Sequence, residues 1–301
     1  MSLLVTGSIG IDTVKTPFGF NEDSIGGSAV YFSMAASFFS PVRFLGVVGD
    51  DCPFNLAEVF EGRDVDLEGL EVRPGSKTFR WAGSYEENMN ERQTDSVELN
   101  VLSEAPPSVP AAYSDSDYVF LANTAPALQI ELLEQISRAG FIAADTMNHW
   151  IVTAGEDLKE LLDRIDLLVL NEEEARLLTG QRNLVTAAAR ILEIGPRVVI
   201  IKEGEYGSMM ANNDGDCFIL PAYPTRVVID PTGAGDSFAG ALMGYLAQAG
   251  KVDGTSLRNA MVYGTVAASF TIGDFSIYGI KGAGMDDMEE RFNTLRKVTQ
   301  F

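Results

Sequence analysis

Six short apolar runs recur along the chain, "LLVTG", "VRFLGVV", "YVFLA", "FIAAD", "LLVLN" and "VVIIK", with helical patterns between them such as "SAVYFSMAASFF", "PFNLAEVFEG", "EEEARLLTG" and "TAAARILEIG". A strand that is apolar at every position must be covered on both faces, because alternate side chains point to opposite sides. Strands of that kind alternating with helices predict a doubly wound, mostly parallel α/β sheet with helices on both sides. A chain of 301 residues is long enough to bury such a core, and we read residues 1–301 as a single α/β domain.

One stretch breaks the rhythm. From Thr78 to Val101 two alternating runs, "TFRWAGSY" and "SVELNV", flank the polar "EENMNERQTD", the pattern of an antiparallel hairpin. Phe79, Trp81 and Tyr85 share one face, and Thr78, Arg80 and Ser84 the other. A helix is missing where the repeat expects one. The insert therefore projects as a small antiparallel β lid or an interface, unless it packs on the core as an edge hairpin. The lid segments are expected near residues 12–22 and 74–104.

Charge and cysteine usage exclude several classes. With 43 acidic against 22 basic side chains the net charge is -21, and no Lys/Arg block could track a nucleic-acid backbone. Cys52 and Cys217 form no CxxC pair and read as small buried hydrophobes in a reducing compartment, so the cytoplasm is the expected location. The opening "MSLLVTGSIG" reads as a strand rather than a signal peptide, and no run is long and apolar enough to span a membrane.

The densest local signal is "DPTGAGDSFAG" at 230–240. Thr232 can cap a helix and Gly233 to Gly235 can turn sharply. Phe238, Ala241, Leu242, Tyr245, Leu246 and Ala249 then recur at helical spacing until Gly250 closes the helix. Free N–H groups at such a terminus, with the helix dipole, form an anion cradle. Asp236 would repel a bound phosphate, so its value is catalytic: it can accept the proton of an attacking hydroxyl. The plainer reading is a first-turn acid that favours the dipole.

These residues resemble a family. "DPTGAGD" is similar to the D-x-x-G-A-G-D signature of the ribokinase-like (PfkB) carbohydrate and nucleoside kinases. A GAGD tetrad arises by chance in roughly one sequence of this length in a few hundred. The resemblance implies that Asp236 is the catalytic base and that Gly233, Ala234 and Gly235 form the anion hole. It extends over nearly the whole chain. "GSIGIDTV" looks like the family's first strand, which implies that Asp12 bonds substrate hydroxyls. "GGSAVYFSMAAS" resembles its second motif, with Gly26 and Gly27 as hinge and substrate contact and Ser28 beside them. "NEEE" resembles N-x-x-E, which implies that Asn171 and Glu174 position magnesium largely through water. Lys202, Gly204 and Gly207 in "IKEGEYG" match the segment along the nucleotide, and Asn259 a position beside the adenine. Asp230 and the loop after Phe270 correspond to a monovalent-cation site, for potassium, in several members.

The residues read on their own agree with parts of this. "LLVLN" delivers Asn171 to a C-terminal strand end and Glu174 to the next helix turn, where open α/β sheets bind ligands. A plain N-cap at Asn171 and an acidic first turn at Glu172 to Glu174 explain the same letters. Other enzyme classes lack their parts. "VTGSIG" has too few glycines for a dinucleotide fingerprint, Gly250–Lys251 is no P-loop, and His149, the one histidine, reads as a pocket wall.

The chain thus reads as an ATP- and magnesium-dependent kinase for an alcohol of a nucleoside or sugar. Ribokinases carry an Asn where Tyr31 stands, which points to a flatter acceptor or a rearranged pocket. The segments expected to line the acceptor pocket offer only Lys15, Arg80 and Arg92 as cations, but six aromatics: Phe18, Phe20, Tyr31, Phe79, Trp81 and Tyr85. Stacking on a base contributes about 1 to 3 kcal/mol, so Tyr31 and Trp81 are expected in the acceptor pocket and a nucleoside is favoured. A free-sugar kinase of the same family, or a silent nucleotide-binding module, is the alternative. A homodimer paired through the lid is a further expectation.

Overall fold

The computed structural model describes residues 1–300. Its large sheet runs in the order β13-β12-β11-β10-β9-β8-β1-β4-β5. The strands are β1 (Leu3–Thr6), β4 (Val42–Gly49), β5 (Val65–Arg73), β8 (Tyr118–Leu121), β9 (Phe141–Asp145), β10 (Leu167–Asn171), β11 (Val198–Lys202), β12 (Ser208–Asn212) and β13 (Cys217–Leu220). All pair in parallel except β12 and β13, which turn back antiparallel at one edge. The second sheet is β3 (Gly19–Gly26), β2 (Gly10–Thr16), β6 (Phe79–Tyr85) and β7 (Arg92–Glu98), in that order. It consists of two antiparallel hairpins whose inner strands, β2 and β6, run parallel.

The helices are α1 (Ser28–Ala36), α2 (Leu56–Val59), α3 (Pro126–Glu134), α4 (Asn148–Thr153), α5 (Gly155–Leu162), α6 (Glu172–Thr179), α7 (Leu184–Ile194), α8 (Ala234–Ala249), α9 (Gly254–Thr271), α10 (Tyr278–Lys281) and α11 (Met285–Val298). Alternation along the strands divides the core in two. Leu3 and Val5 of β1 join a cluster with α1, α8 and α9, whereas Leu4 faces α5, α7 and Tyr113 on the other side. The mostly parallel sheet with helices on both sides is therefore the expected one.

The order of strands also fixes where a ligand can sit. From β1 the chain moves to β4 and β5 on one side, and it resumes at β8 on the other. Crevices at the C-terminal strand ends of such a reversal bind ligands. The small sheet grows from the C-terminal ends of β1 and β5, so both of its hairpins stand over that rim. Thr78, fully buried, pins the second hairpin: its Oγ1 accepts from Gly49 N–H at 3.1 Å, and its own N–H reaches Asp51 Oδ1 at 2.7 Å.

Three local expectations need correction. "PFNLAEVFEG" yields only the single turn of α2, capped by Asn55. "GSIGIDTV" is not the first strand of the large sheet, because the chain leaves β1 at Thr6 and Asp12 lies on β2 of the small one. The second hairpin strand begins earlier and ends sooner than "SVELNV". Asn100 adopts φ 48 and turns its amide to Thr78 O at 2.8 Å, which ends pairing at Glu98.

Helix α8 approaches α1 closely enough to require glycine. A Cβ on Gly240 would collide with the Phe32 carbonyl oxygen, and one on Gly244 would fall 2.6 Å from that of Ala36. Alanine gains up to about 1 kcal/mol of helix propensity over glycine, but overpacking against fixed backbone costs about 1 to 3 kcal/mol. Gly240→Ala is expected to destabilise by about 2 kcal/mol in urea titration, despite its better propensity. A gain in stability would show that the helices are free to part.

Candidate active site

Three strand ends meet at the rim. Asp145 closes β9, Asn171 closes β10 and Lys202 closes β11, each at the C-terminal end of neighbouring parallel strands. Asn171 then caps α6. Its Oδ1 accepts from Glu174 N–H at 2.8 Å while Glu174 Oε2 accepts from Asn171 N–H at 2.7 Å, a complete capping box. The cap reading of these residues is thus realised, and it fixes a buried carboxylate at the rim. Burial pushes Glu174 above the usual carboxylate range, and the Lys202 charge works against that rise.

Helix α8 starts at the same place. Gly233, not Thr232, is its N-cap, in a left-handed conformation (φ 76) with no side-chain cap. A side chain there would also run into the Tyr31 ring, which lies directly under the turn. Thr232 N–H is taken by Asp230 Oδ1 at 2.9 Å and Ala234 N–H by Pro231 O at 3.2 Å. The N–H groups of Gly233 and Gly235 are left with no acceptor among the described residues. The turn therefore presents two free glycine donors, whereas the Ala234 N–H is already used.

Asp236 follows in the first turn of α8, half-buried. Desolvation raises its pKa, against the pull of Lys202 and Arg92. A carboxylate displaced toward neutrality is a better proton acceptor than an ordinary one. Asp145 belongs to the same cluster and was not among the expected site residues. Burial and the nearby charges of Asp236 and Glu174 push it up, and its Oδ1 has no hydrogen-bond partner. Asp145 occupies the strand-end position of Asn171 one strand over, so the strand-end rule applied to "FIAAD" points to it.

The small sheet contributes the opposite wall. Asp12 pairs across β2–β6 with Trp81, which puts both on the face that carries Tyr85. Tyr85 Oη lies 3.2 Å from Thr232 Oγ1, so this face looks onto the glycine turn. Asp12 is 5% exposed and its Oδ1 has no partner. The carboxylate presses on Gly26, where any Cβ would overlap it. Gly27 (φ 100) starts α1 and its N–H favours the Asp12 charge. Arg92, read from sequence as part of a loop, begins β7 opposite Tyr85, with its guanidinium 5.4 Å from the Trp81 ring centre.

Other expected residues stand apart from the rim surface. Tyr31, 2% exposed, supports the glycine turn from below and cannot stack on a ligand. Ser28 is buried and exchanges hydrogen bonds with Ser8: Ser8 N–H to Ser28 Oγ at 3.0 Å and Ser28 N–H to Ser8 Oγ at 2.9 Å. It locks the start of α1. Gly204 and Gly207 (φ 56 and 109) bend the chain after β11, and Asn90 of the β6–β7 turn donates to Glu205 between them at 3.0 Å. Asn259 donates to Tyr245 Oη at 3.2 Å across α8 and α9. Asp230, fully buried, faces the loop after Phe270, where Ser276 N–H lies 3.5 Å from its Oδ2. His149 is exposed on α4 and walls no pocket, and Cys217 is exposed rather than buried. Phe18 and Phe20 are also exposed, at 57% and 60%.

A glycine turn that opens a helix at a strand-end rim, with an acid in its first turn, fits a phosphoryl-transfer site. Residues 21–279 match the model of the pfkB family of carbohydrate kinases. The chain belongs to this family. It is accordingly a phosphotransferase with an alcohol group as acceptor. A cytidine kinase of Thermococcus kodakarensis is 28% identical over 254 residues, 81% of this chain and 88% of that protein. Among solved structures, Burkholderia thailandensis nucleoside kinase in complex with inosine superposes with TM-score 0.77 at 20% identity, covering 97% of each chain. Ribokinase from Cryptococcus neoformans in complex with ADP gives 0.78 at 20% identity, covering 96% of this chain and 98% of that one. Among the described residues no helix is long and apolar enough to cross a membrane.

The pfkB rim holds its carboxylates at a cost. Burial, then the charges of Asp230 and Asp236, push Asp12 up to about 7 from its ordinary 3.8. Each unit is about 1.4 kcal/mol. The folded protein holds this proton more tightly than the unfolded chain, so stability from Asp12 is present at low pH and is lost as pH rises to about 7. Asp12→Asn, similar in shape and uncharged, should raise Tm by several degrees at pH 8, with the gain vanishing toward pH 4. A gain independent of pH would contradict this origin.

Proposed function

We propose that this pfkB-family chain is a nucleoside kinase that transfers the γ-phosphoryl group of ATP to an acceptor hydroxyl. The observation that carries the reading is the raised Asp236 carboxylate in the first turn of α8, beside the unsatisfied N–H groups of Gly233 and Gly235. Asp236 takes the proton of the acceptor hydroxyl as that oxygen bonds to the γ-phosphorus. The bond from the γ-phosphorus to its bridging oxygen breaks, and ADP leaves with the electron pair. The glycine N–H groups and the α8 dipole hold the charge on the phosphoryl oxygens.

The acceptor lies between the rim and the small sheet. Asp12, with a free buried oxygen, accepts sugar hydroxyls, and Trp81 on the same face offers a ring to a base. The name of the Thermococcus relative, a cytidine kinase, supports this class. The nucleotide runs from the glycine turn along Lys202, Gly204 and Gly207, with the adenine toward Asn259. The small sheet acts as a lid that excludes water, and it already touches both sides through Tyr85–Thr232 and Asn90–Glu205. It also exposes Phe18 and Phe20, apolar area that a lid-to-lid homodimer would cover.

Magnesium bound with a nucleotide takes only one or two protein carboxylates, the rest of its shell being phosphate and water. Among the described residues no group of three or more His, Cys, Asp or Glu could hold a metal by itself. Glu174, and Asp145 with its unpartnered Oδ1, fit the partial role, and Asn171 holds Glu174 in place. Held by these residues, magnesium would supply neutralisation of the phosphate charge. Asp230 has no cationic side chain paired to it among the described residues and faces the Ile272–Ser276 loop, which fits a monovalent cation such as potassium.

Asp236→Asn is expected to lower kcat at least 10²-fold with nucleotide affinity level or improved, since a charge facing phosphate is gone. Near-normal turnover would sink the assignment. Glu174→Gln keeps the capping box, for which glutamine serves as well, so melting should hold while the magnesium concentration for half-maximal rate rises several-fold. An unchanged magnesium dependence would leave Glu174 as a cap alone. Trp81→Ala should raise KM for nucleosides by about 5- to 100-fold and for simple sugars little. A screen in which only pentoses or hexoses are phosphorylated would replace the acceptor class and leave the kinase standing.

A further inference from the structure

Lys202 ends β11 and points across the sheet rim to the first turn of α8. Its Nζ lies 2.6 Å from the place a Cβ on Gly235 would occupy, so the missing side chain at Gly235 is the space the ammonium fills. That contact puts the cation on the flank of the glycine turn, where the phosphoryl group reacts, rather than further along toward the adenine. Three carboxylates surround it: Asp236, Asp145 and Glu174 each feel its charge. Yet the ammonium is not consumed by any of them. Among the described residues the ion-paired lysine is Lys251 and the hydrogen-bonded one is Lys281, and Lys202 is neither.

A half-buried ammonium has three N–H donors and no acceptor of its own. Left without partners it is costly, and the cost is recovered when an anion arrives. The anion must fit between the ammonium and the N–H groups of Gly233 and Gly235, which are likewise unsatisfied. A phosphoryl group, with three outer oxygens, meets all of these donors at once. Asp236, Asp145 and Glu174 lie close enough to feel its charge, yet none forms a salt bridge with it among the described residues, so its donors stay available.

We propose that Lys202 is a catalytic residue, the side-chain member of the anion hole, which donates to a non-bridging oxygen of the phosphoryl group as it passes from ATP to the acceptor. This rests on the kinase reading above and assigns the lysine to the transferred group instead of the nucleotide as a whole. Lys202 neither gains nor loses a proton in the step. Its contribution is greatest when the phosphoryl charge is spread over the three outer oxygens, so it acts on rate more than on binding of the acceptor.

The test compares nucleotides that differ only in the γ-phosphate. Calorimetry with magnesium gives Kd for ADP and for a non-hydrolysable ATP analogue, alongside steady-state kinetics, for the full chain and for Lys202→Met. Loss of one charged donor to the reacting group is expected to lower kcat by about 10²- to 10³-fold, with acceptor KM within about twofold. Affinity for the ATP analogue should fall at least tenfold more than affinity for ADP. Equal losses for the two nucleotides would put Lys202 on the α- or β-phosphate and overturn the assignment, as would near-normal kcat. If Lys202→Met fails to fold, Gly235→Ala displaces the same ammonium from the other side and should show the same selective loss. Retained preference for the γ-phosphate in that variant would overturn the proposal. Failure of the kinase reading itself would show separately, as no phosphoryl transfer from ATP to any nucleoside or sugar by the unaltered chain.

Discussion

The approach of α8 to α1 is the constraint on which the site depends. Gly233 rests on the Tyr31 ring and Gly240 on the Phe32 carbonyl, so the helix can be neither raised nor rotated without a clash. Its N-terminus is thereby aimed at the strand ends of β9, β10 and β11. Everything chemical follows from that aim: the unsatisfied glycine N–H groups, the position of Asp236, and the space beside Gly235 that Lys202 enters. Tyr31 is therefore the support of the glycine turn.

The same packing sets an electrostatic cost. Asp12, Asp145, Glu174 and Asp230 are each at least nine-tenths buried, and Asp236 is half-buried beside them. No salt bridge neutralises any of the five among the described residues. Their pKa values all rise, with burial the first cause in each. A protein that needed only stability would place apolar groups here. On the proposed reading these carboxylates await cations and hydroxyl donors, and the electrostatic cost of the free rim would be offset once it is loaded.

The fold was largely legible because its central strands are almost continuously apolar, and only a sheet covered on both faces satisfies that pattern. The cap at Asn171, the glycine turn and the closing Gly250 were legible for a similar reason: each uses a residue type that local backbone geometry demands. What escaped was contact between distant segments. Tyr31 is an aromatic in a helix, and nothing in its neighbours tells that a turn from the far end of the chain sits on it. Arg92 lies in a polar run that reads as loop, and only pairing with Tyr85 makes it strand. Asp145 was readable by the rule that found Asn171, but its neighbours carry no motif to draw attention to it. Lys202 was read with the segment that follows β11, and its place on the glycine turn came only with the geometry.

The β6–β7 hairpin touches two parties with one short turn: Tyr85 meets the glycine loop and Asn90 meets the bend after β11. On the proposed reading, the wall of the acceptor side is thus fastened to the nucleotide side by two hydrogen bonds carried on adjacent stretches of one hairpin. The hairpin would then serve in turnover as a shared door: lifting it breaks both fastenings together, so the departures of the two products would be timed by one motion.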